Sequence, residues 1–205
     1  MNQQTDNHIT PISHFLIQKS RRISAQICDM IGSAIDGKHI LILTAGDDTL
    51  ARMLAEKAAF VTVAVLSADA RTYEIRQPVP ANLRYLQTAP DALPITDGAL
   101  DAVVAVNLLY SVPDPAQTMQ EFARILKPDG VLIAPCCIHS DQTVNQNLVS
   151  LLLRRTVAYR TKQKWTKDSY IAFLHENGWH IRKGRMIHAA YPVAYAECIR
   201  KRSCQ

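Results

Sequence analysis

Five short strand-like runs constrain this chain more than anything else in it: HILILT (39–44), FVTVAVL (60–66), LRYLQT (83–88), DAVVAVN (101–107) and VLIAPCC (131–137). Most are unbroken apolar stretches rich in β-branched residues. Such stretches suit strands buried on both faces, as in a parallel sheet. Helical patterns lie between some of them. TLARMLAEKA follows Asp47 and Asp48, either of which is placed to cap it, and another helix is expected from about Pro115 to Leu126. Lys127-Pro128-Asp129-Gly130 then reads as a turn, since Pro and Gly both interrupt a helix.

An amphipathic helix is expected over 13–35. Leu16, Ile23, Ile27, Met30 and Ala34 share one face, Lys19, Arg22 and Gln26 lie elsewhere, and Ser13 is placed as the N-cap. After the fifth strand the pattern changes. Residues 141–160 read as a helix ending in a basic cluster. Thr166 opens a further helix closed by Gly178, and WHIRKGRMIHA and VAYAECIRK read as an antiparallel pair. The predicted fold is α/β: a Rossmann-like, seven-stranded, mostly parallel sheet with helices on both faces and the last strand antiparallel. One domain over 1–205 is expected: an N-terminal helical cap (1–36), a core bearing the ligand crevice (37–137), and helices with a C-terminal hairpin (138–205). Ligands of open parallel sheets sit beyond the carboxyl ends of the strands. Segments 44–48, 65–69, 88–92 and 106–110 should therefore line one crevice.

Composition narrows the function classes. Of 205 residues, 48% are hydrophobic and 20% charged, which is ordinary for a globular domain. No apolar run is long enough to span a bilayer, and the polar start MNQQTDNHIT does not read as a secretory signal. Five cysteines form neither a CxxC pair nor an even framework, which fits reduced thiols and a cytoplasmic location. No metal-ligand spacing, nucleophile triad or phosphate loop is present, so no metal is expected. The net charge of +5 is concentrated between Arg154 and Lys167 and at the tail Arg200, Lys201, Arg202. Excess of that size points only weakly to nucleic acid, which is not expected as a partner.

The stretch ALPITDGALDAVVAVNLLYSVPDPAQTMQEFARILKPDGVLIAP (92–135) carries a resemblance. Leu93-Pro94, Asp97-Gly98, Asp101, Asn107, Val112-Pro113-Asp114-Pro115 and Arg124-Ile125-Leu126-Lys127-Pro128-Asp129-Gly130 fall at matching spacing. This stretch resembles the class I S-adenosylmethionine (SAM)-dependent methyltransferases, specifically the small-molecule group of the ubiquinone/menaquinone-biosynthesis type. Trp165-Thr166 through Gly178-Trp179 resembles the same group. The resemblance implies SAM as cofactor and methyl transfer to a small-molecule acceptor.

The resembling family ends its first strand in (D/E)xGxGxG. Here that stretch is Ile42-Leu43-Thr44-Ala45-Gly46-Asp47-Asp48, which keeps only Gly46. The acid that holds the ribose aligns with Val65, and the acid that meets the adenine amino group aligns with Ala89. Asp69 and Asp91 lie close enough in sequence to substitute for them. The implied cofactor-binding set is thus Thr44, Ala45, Gly46, Val65, Leu66, Asp69, Ala89, Asp91 and Asn107, with SAM binding weak or lost. Tyr110 and His139 are the catalytic candidates, one to orient an acceptor and one as a base. Cys136-Cys137 is a vicinal pair capable of binding a soft metal, or simply a strand end. Two readings stay open: a SAM-dependent methyltransferase acting on a small molecule, and a non-catalytic protein of that fold, a pseudoenzyme, serving a protein partner.

Overall fold

The computed structural model of the chain describes residues 11–44, 47–66, 73–138, 164–188 and 192–201. The strands are β1 (His39–Leu43), β2 (Phe60–Leu66), β3 (Leu83–Thr88), β4 (Leu100–Ala105), β5 (Leu126–Ile133), β6 (Cys136–Cys137), β7 (Trp179–His188) and β8 (Pro192–Arg200). The helices, numbered in chain order, are α1 (Pro11–Ile31), α2 (Thr49–Ala55), α3 (Pro115–Ile125) and α4 (Lys167–Glu176). The strand order is β3-β2-β1-β4-β5-β8, with β6 and β7 also pairing with β8. β1 to β5 run parallel, and β8 is antiparallel to both β5 and β7.

The expected mostly parallel sheet with a final antiparallel strand is therefore present. It counts eight strands rather than seven because 131–137 is not continuous. Pro135 has no N–H to give to a ladder, and pairing breaks at Ala134-Pro135 before resuming at Cys136 and Cys137 against Ala194 and Val193. The stretch Lys127–Gly130 also departs from expectation. It lies inside β5 as a bulge: Leu100 faces Leu126, yet Ala102 faces Val131. Lys127 Nζ holds the bulge to Asp101 Oδ1 at 2.6 Å. Gly130 is required there, since a Cβ would stand 2.9 Å from both Leu126 Cδ2 and Lys127 O.

Alternation along each strand sends side chains to two cores. On one face Leu41, Leu43, Val103, Ala105 and Leu132 meet α3 and α4 through Met119, Phe122, Tyr170 and Leu174. On the other Ile40, Ile42, Val61, Val63 and Val104 meet α1 and α2 through Ile23, Ile27, Ile31, Leu50 and Leu54. Ser13 lies within α1 rather than capping it, because the helix begins at Pro11, a residue suited to a first turn. Among the described residues, the β1–β2 and β4–β5 crossovers contain an α-helix, and the β3–β4 crossover is coil. The expected helix over 141–160 lies outside the described residues.

Candidate functional site

The parallel strands finish level with one another. Leu43 pairs with Ala64 and Ala105, and Leu66 pairs with Thr88. Residues just past these positions form a common rim. Thr44 leaves β1 half-buried. Val65 is 6% exposed and packs into the α1–α2 core, whereas Leu66 packs from the other face beside the core that holds Leu93. Ala89 and Asp91 are exposed after β3, where Ala89 bridges to Ala92 and Thr88 Oγ1 donates to the Ala92 carbonyl at 3.2 Å. Ala45, Gly46, Asp69 and His139 lie outside the described residues, as do Arg154, Arg155, Arg160 and Lys162 of the basic cluster.

Asn107 closes the rim at β4. Its φ of 54° is left-handed, a conformation asparagine tolerates better than most residues. Its N–H donates to Pro135 O at 2.8 Å, and its Oδ1 accepts from Cys137 N at 2.8 Å. Backbone and side chain of Asn107 together tie the β4 exit to Pro135 and Cys137, the stretch that follows the break in the fifth strand. Tyr110 is 5% exposed and lies in the α3–α4 core, below the rim rather than at its mouth. Burial pushes the Cys137 thiol up to about 12, and that of Cys136 well above its ordinary value, so both stay protonated at neutral pH. Metal ligation requires the thiolate. Among the described residues no group of His, Cys, Asp and Glu could hold a metal ion.

Asp48 is the site's largest departure from sequence reasoning. It precedes α2, but its side chain does not cap the helix; Asp47 Oδ1 accepts from Thr49 N at 2.7 Å instead. Asp48 is fully buried. Oδ1 accepts from Arg76 Nε at 2.8 Å, and Oδ2 accepts from Arg52 Nε at 2.7 Å, Tyr85 Oη at 2.8 Å and Arg76 N at 3.1 Å. Burial alone would raise its pKa, but the hydrogen bonds from Arg52, Arg76 and Tyr85 outweigh that and hold it at about 2. Tyr85 is pushed up to about 12 by burial and by its bond to the Asp48 carboxylate. The hub fastens the β2–β3 connection to the start of α2, and Asp47 adds a parallel bridge to Glu74. Of these contacts, only the Asp48–Arg52 spacing of four was legible in sequence.

The motif from 93 to 130 proves to be a clasp. Arg124 Nη1 reaches Ile95 O at 2.8 Å and Asp97 Oδ1 at 2.5 Å, and Nη2 reaches Leu93 O at 3.0 Å and Glu121 Oε1 at 2.6 Å. Glu121 in turn accepts from Leu93 N at 2.7 Å, and Gly98 N donates to Arg124 O at 2.9 Å. These residues fasten the β3–β4 coil to the end of α3.

A strand order of 3-2-1-4-5 with an antiparallel last strand inserted beyond β5, and a rim at the carboxyl ends, now stands with a family match: residues 41–134 match the methyltransferase domain. The fold is that of the SAM-dependent methyltransferases. This methyltransferase-fold chain is 28% identical over 123 residues to a ubiquinone biosynthesis O-methyltransferase of Xylella fastidiosa, covering 58% of this chain and 47% of that protein. It spans about half the length of the curated relatives it matches. Among solved structures, a chain from the complex between the Haloferax volcanii Trm112 methyltransferase activator and a methyltransferase superposes with a TM-score of 0.71 at 16% identity, covering 98% of this chain and 100% of that one. Magnesium protoporphyrin IX methyltransferase from Synechocystis PCC 6803 with bound SAH superposes with a TM-score of 0.66 at 12% identity, covering 96% and 90%.

Proposed function

We propose that this chain is a SAM-dependent methyltransferase acting on a small molecule. The family match over β1 to β5 carries the reading, because it spans the strands whose ends form the rim. The names of the O-methyltransferase relatives and the SAH-bound neighbour support it over the non-catalytic alternative. A reduced, cytoplasmic setting is part of the proposal; the four described cysteines are unpaired and buried, and no described helix is long and apolar enough to cross a membrane. A protein partner is compatible with it, as in the Haloferax complex.

The rim fits SAM through apolar surface and backbone more than through carboxylates. Leu66 and Leu93 belong to one core at the rim and would flank the adenine, with Asp91 or Asp69 as the polar anchor and the backbone of 44–46 beside the methionine portion. Asp48 is committed to Arg52, Arg76 and Tyr85, so it supplies no anchor. SAM would bring an electrophilic methyl group; the chain's part is to hold acceptor and cofactor in line and exclude water. Asn107 fixes the β4 exit. Tyr110 acts as a positioning residue beneath it, and His139 is the candidate base. The domain division follows: 37–137 on the cofactor side, 138–205 on the acceptor side, 1–36 as cap.

The test is calorimetric titration with SAM and S-adenosylhomocysteine. We expect weak but saturable binding. Val65→Asp with Thr44→Gly should tighten it by roughly 10-fold or more, the worth of one charged contact at about 1.5–3 kcal/mol. Val65 is packed against the α1–α2 layer, so the variant's melting temperature is measured first. A folded variant with no gain, together with a wild-type chain that gives no binding heat, would overturn the reading.

A further inference from the structure

A cavity of about 330 Å³ lies between α4 and the β7–β8 hairpin, away from the Val65–Ala89 rim. That volume is within the range of small-molecule sites, roughly 300–1,000 Å³. β8 contributes Ala194 and Ala196, β7 contributes Ile181 and Met186, and α4 contributes Tyr170 and Ile171. The α4 wall is tied to the end of the fifth strand. Tyr170 Oη donates to Ala134 O at 2.6 Å, and the Trp165 ring stands edge-on at 5.9 Å.

Gly184 gives an independent pointer. It sits inside β7, opposite Ala196, and lines the cavity. Glycine weakens a strand interior, and it often marks a bulge or a close approach by another molecule or backbone. The register of β7 shifts between Ile181 and Lys183, just before it, and beyond that bulge no steric need explains the glycine. Gly184 is not among the residues with positive φ, and a Cβ there would come no nearer than 3.5 Å to Ile181 Cγ2 and 3.9 Å to Tyr195 O. Its missing side chain leaves the cavity open. Of the two charged residues in the lining, Arg185 alternates with Gly184 and Met186 and shares the opposite face with Tyr195, so Lys167 is the cation on the cavity's side. The acid next in β8, Glu197, is paired with Arg182.

We propose that this cavity binds an apolar small molecule bearing a carboxylate, its hydrocarbon against Met186, Ile181 and the two alanines and its charge toward Lys167. The site goes beyond the methyl-transfer reading and does not depend on it. The experiment titrates the full chain with decanoate and with decanol, following heat and tryptophan fluorescence, with Trp165 beside Tyr170 as reporter. Decanoate should bind one to one. Gly184→Leu should abolish binding without lowering the melting temperature. Lys167→Gln should weaken decanoate about threefold, as expected for an exposed charge contact, and leave decanol unchanged. Should Gly184→Leu misfold, Ala194→Leu fills the same cavity from β8 and should give the same loss. Absence of saturable binding, equal affinity for acid and alcohol, or undiminished binding in a folded cavity-filling variant would overturn the proposal.

Discussion

Asp48 illustrates how a single residue can change meaning between sequence and structure. In sequence it stands where the resembling family has glycine, next to Asp47 at a helix start. In the fold the two acids divide the work: Asp47 bonds the first turn of α2, and Asp48 is buried among two guanidinium groups and a phenol. Removing one partner of a buried ion pair leaves the other uncompensated. Because Arg52 and Arg76 keep some contact with water, Asp48→Asn should cost about 2–3 kcal/mol, below the 3–5 typical of fully buried pairs. Urea denaturation measures it. The pH dependence follows from the same bonds. The folded pKa, about 2, lies below the unfolded value of 3.8. The stabilisation is therefore complete above about pH 4 and is lost as pH falls from there toward 2. The difference in unfolding free energy between wild type and Asp48→Asn should shrink through that window; a constant difference down to pH 2 would count against the hub.

At the scale of elements, the start of α4 at Thr166 was readable in the sequence, and both α3 and α4 carry side-chain caps. Asp114 accepts from Gln117 N at 2.9 Å with Pro115 following it, and Thr166 and Ser169 form a reciprocal capping box. Thr166→Ala should cost about 1 kcal/mol, measured by thermal unfolding. The fifth strand was not readable in the same way. Residues 131–137 are nearly all apolar, so periodicity ran them together although Pro135 divides them, while the polar Lys127–Gly130, read as a turn, enters β5 as a bulge. Asn107, at the β4 exit, holds the stretch after the break through its N–H on Pro135 O and its side chain on Cys137 N. Asn107→Val should lose both the side-chain bond and the tolerance for φ near 54°, for a combined cost of about 2–4 kcal/mol. Asn107→Gly, which keeps the backbone freedom, should recover part of it. Equal destabilisation by Val and Gly would show that the φ constraint is not what fixes this residue.

For the molecule as a whole, the two cores share one sheet, so neither face can be lost alone. Ile27 on α1 and Phe122 on α3 are both essentially fully buried, one in each core. Ile27→Ala should cost about 2–5 kcal/mol and Phe122→Ala about 3–5. Each variant should still unfold in one transition that coincides by circular dichroism and fluorescence. Separate transitions would mean that the α1–α2 layer folds as an independent unit. The family-like clasp around Arg124 belongs to this scale as well. It connects the β3–β4 coil to α3 in one hydrogen-bonded set, so much of the resemblance lies in residues that hold the fold together.

Hydrophobic patterning alone determined the parallel sheet, the antiparallel hairpin and the placement of the rim at the strand ends, because burial on both faces leaves a local signature in every strand. The clasp residues were visible as a motif, though not as a clasp. Tertiary structure alone decided where Asp48 points, that Arg76 and Tyr85 meet it, that Asn107 holds the stretch after the break in the fifth strand, and that Gly184 opens a cavity. Each depends on groups roughly 12 to 37 positions apart in the chain. No local spacing rule reaches that far; such contacts form only when the sheet brings the segments together, and the low-dielectric interior then makes each satisfied or missing polar partner matter.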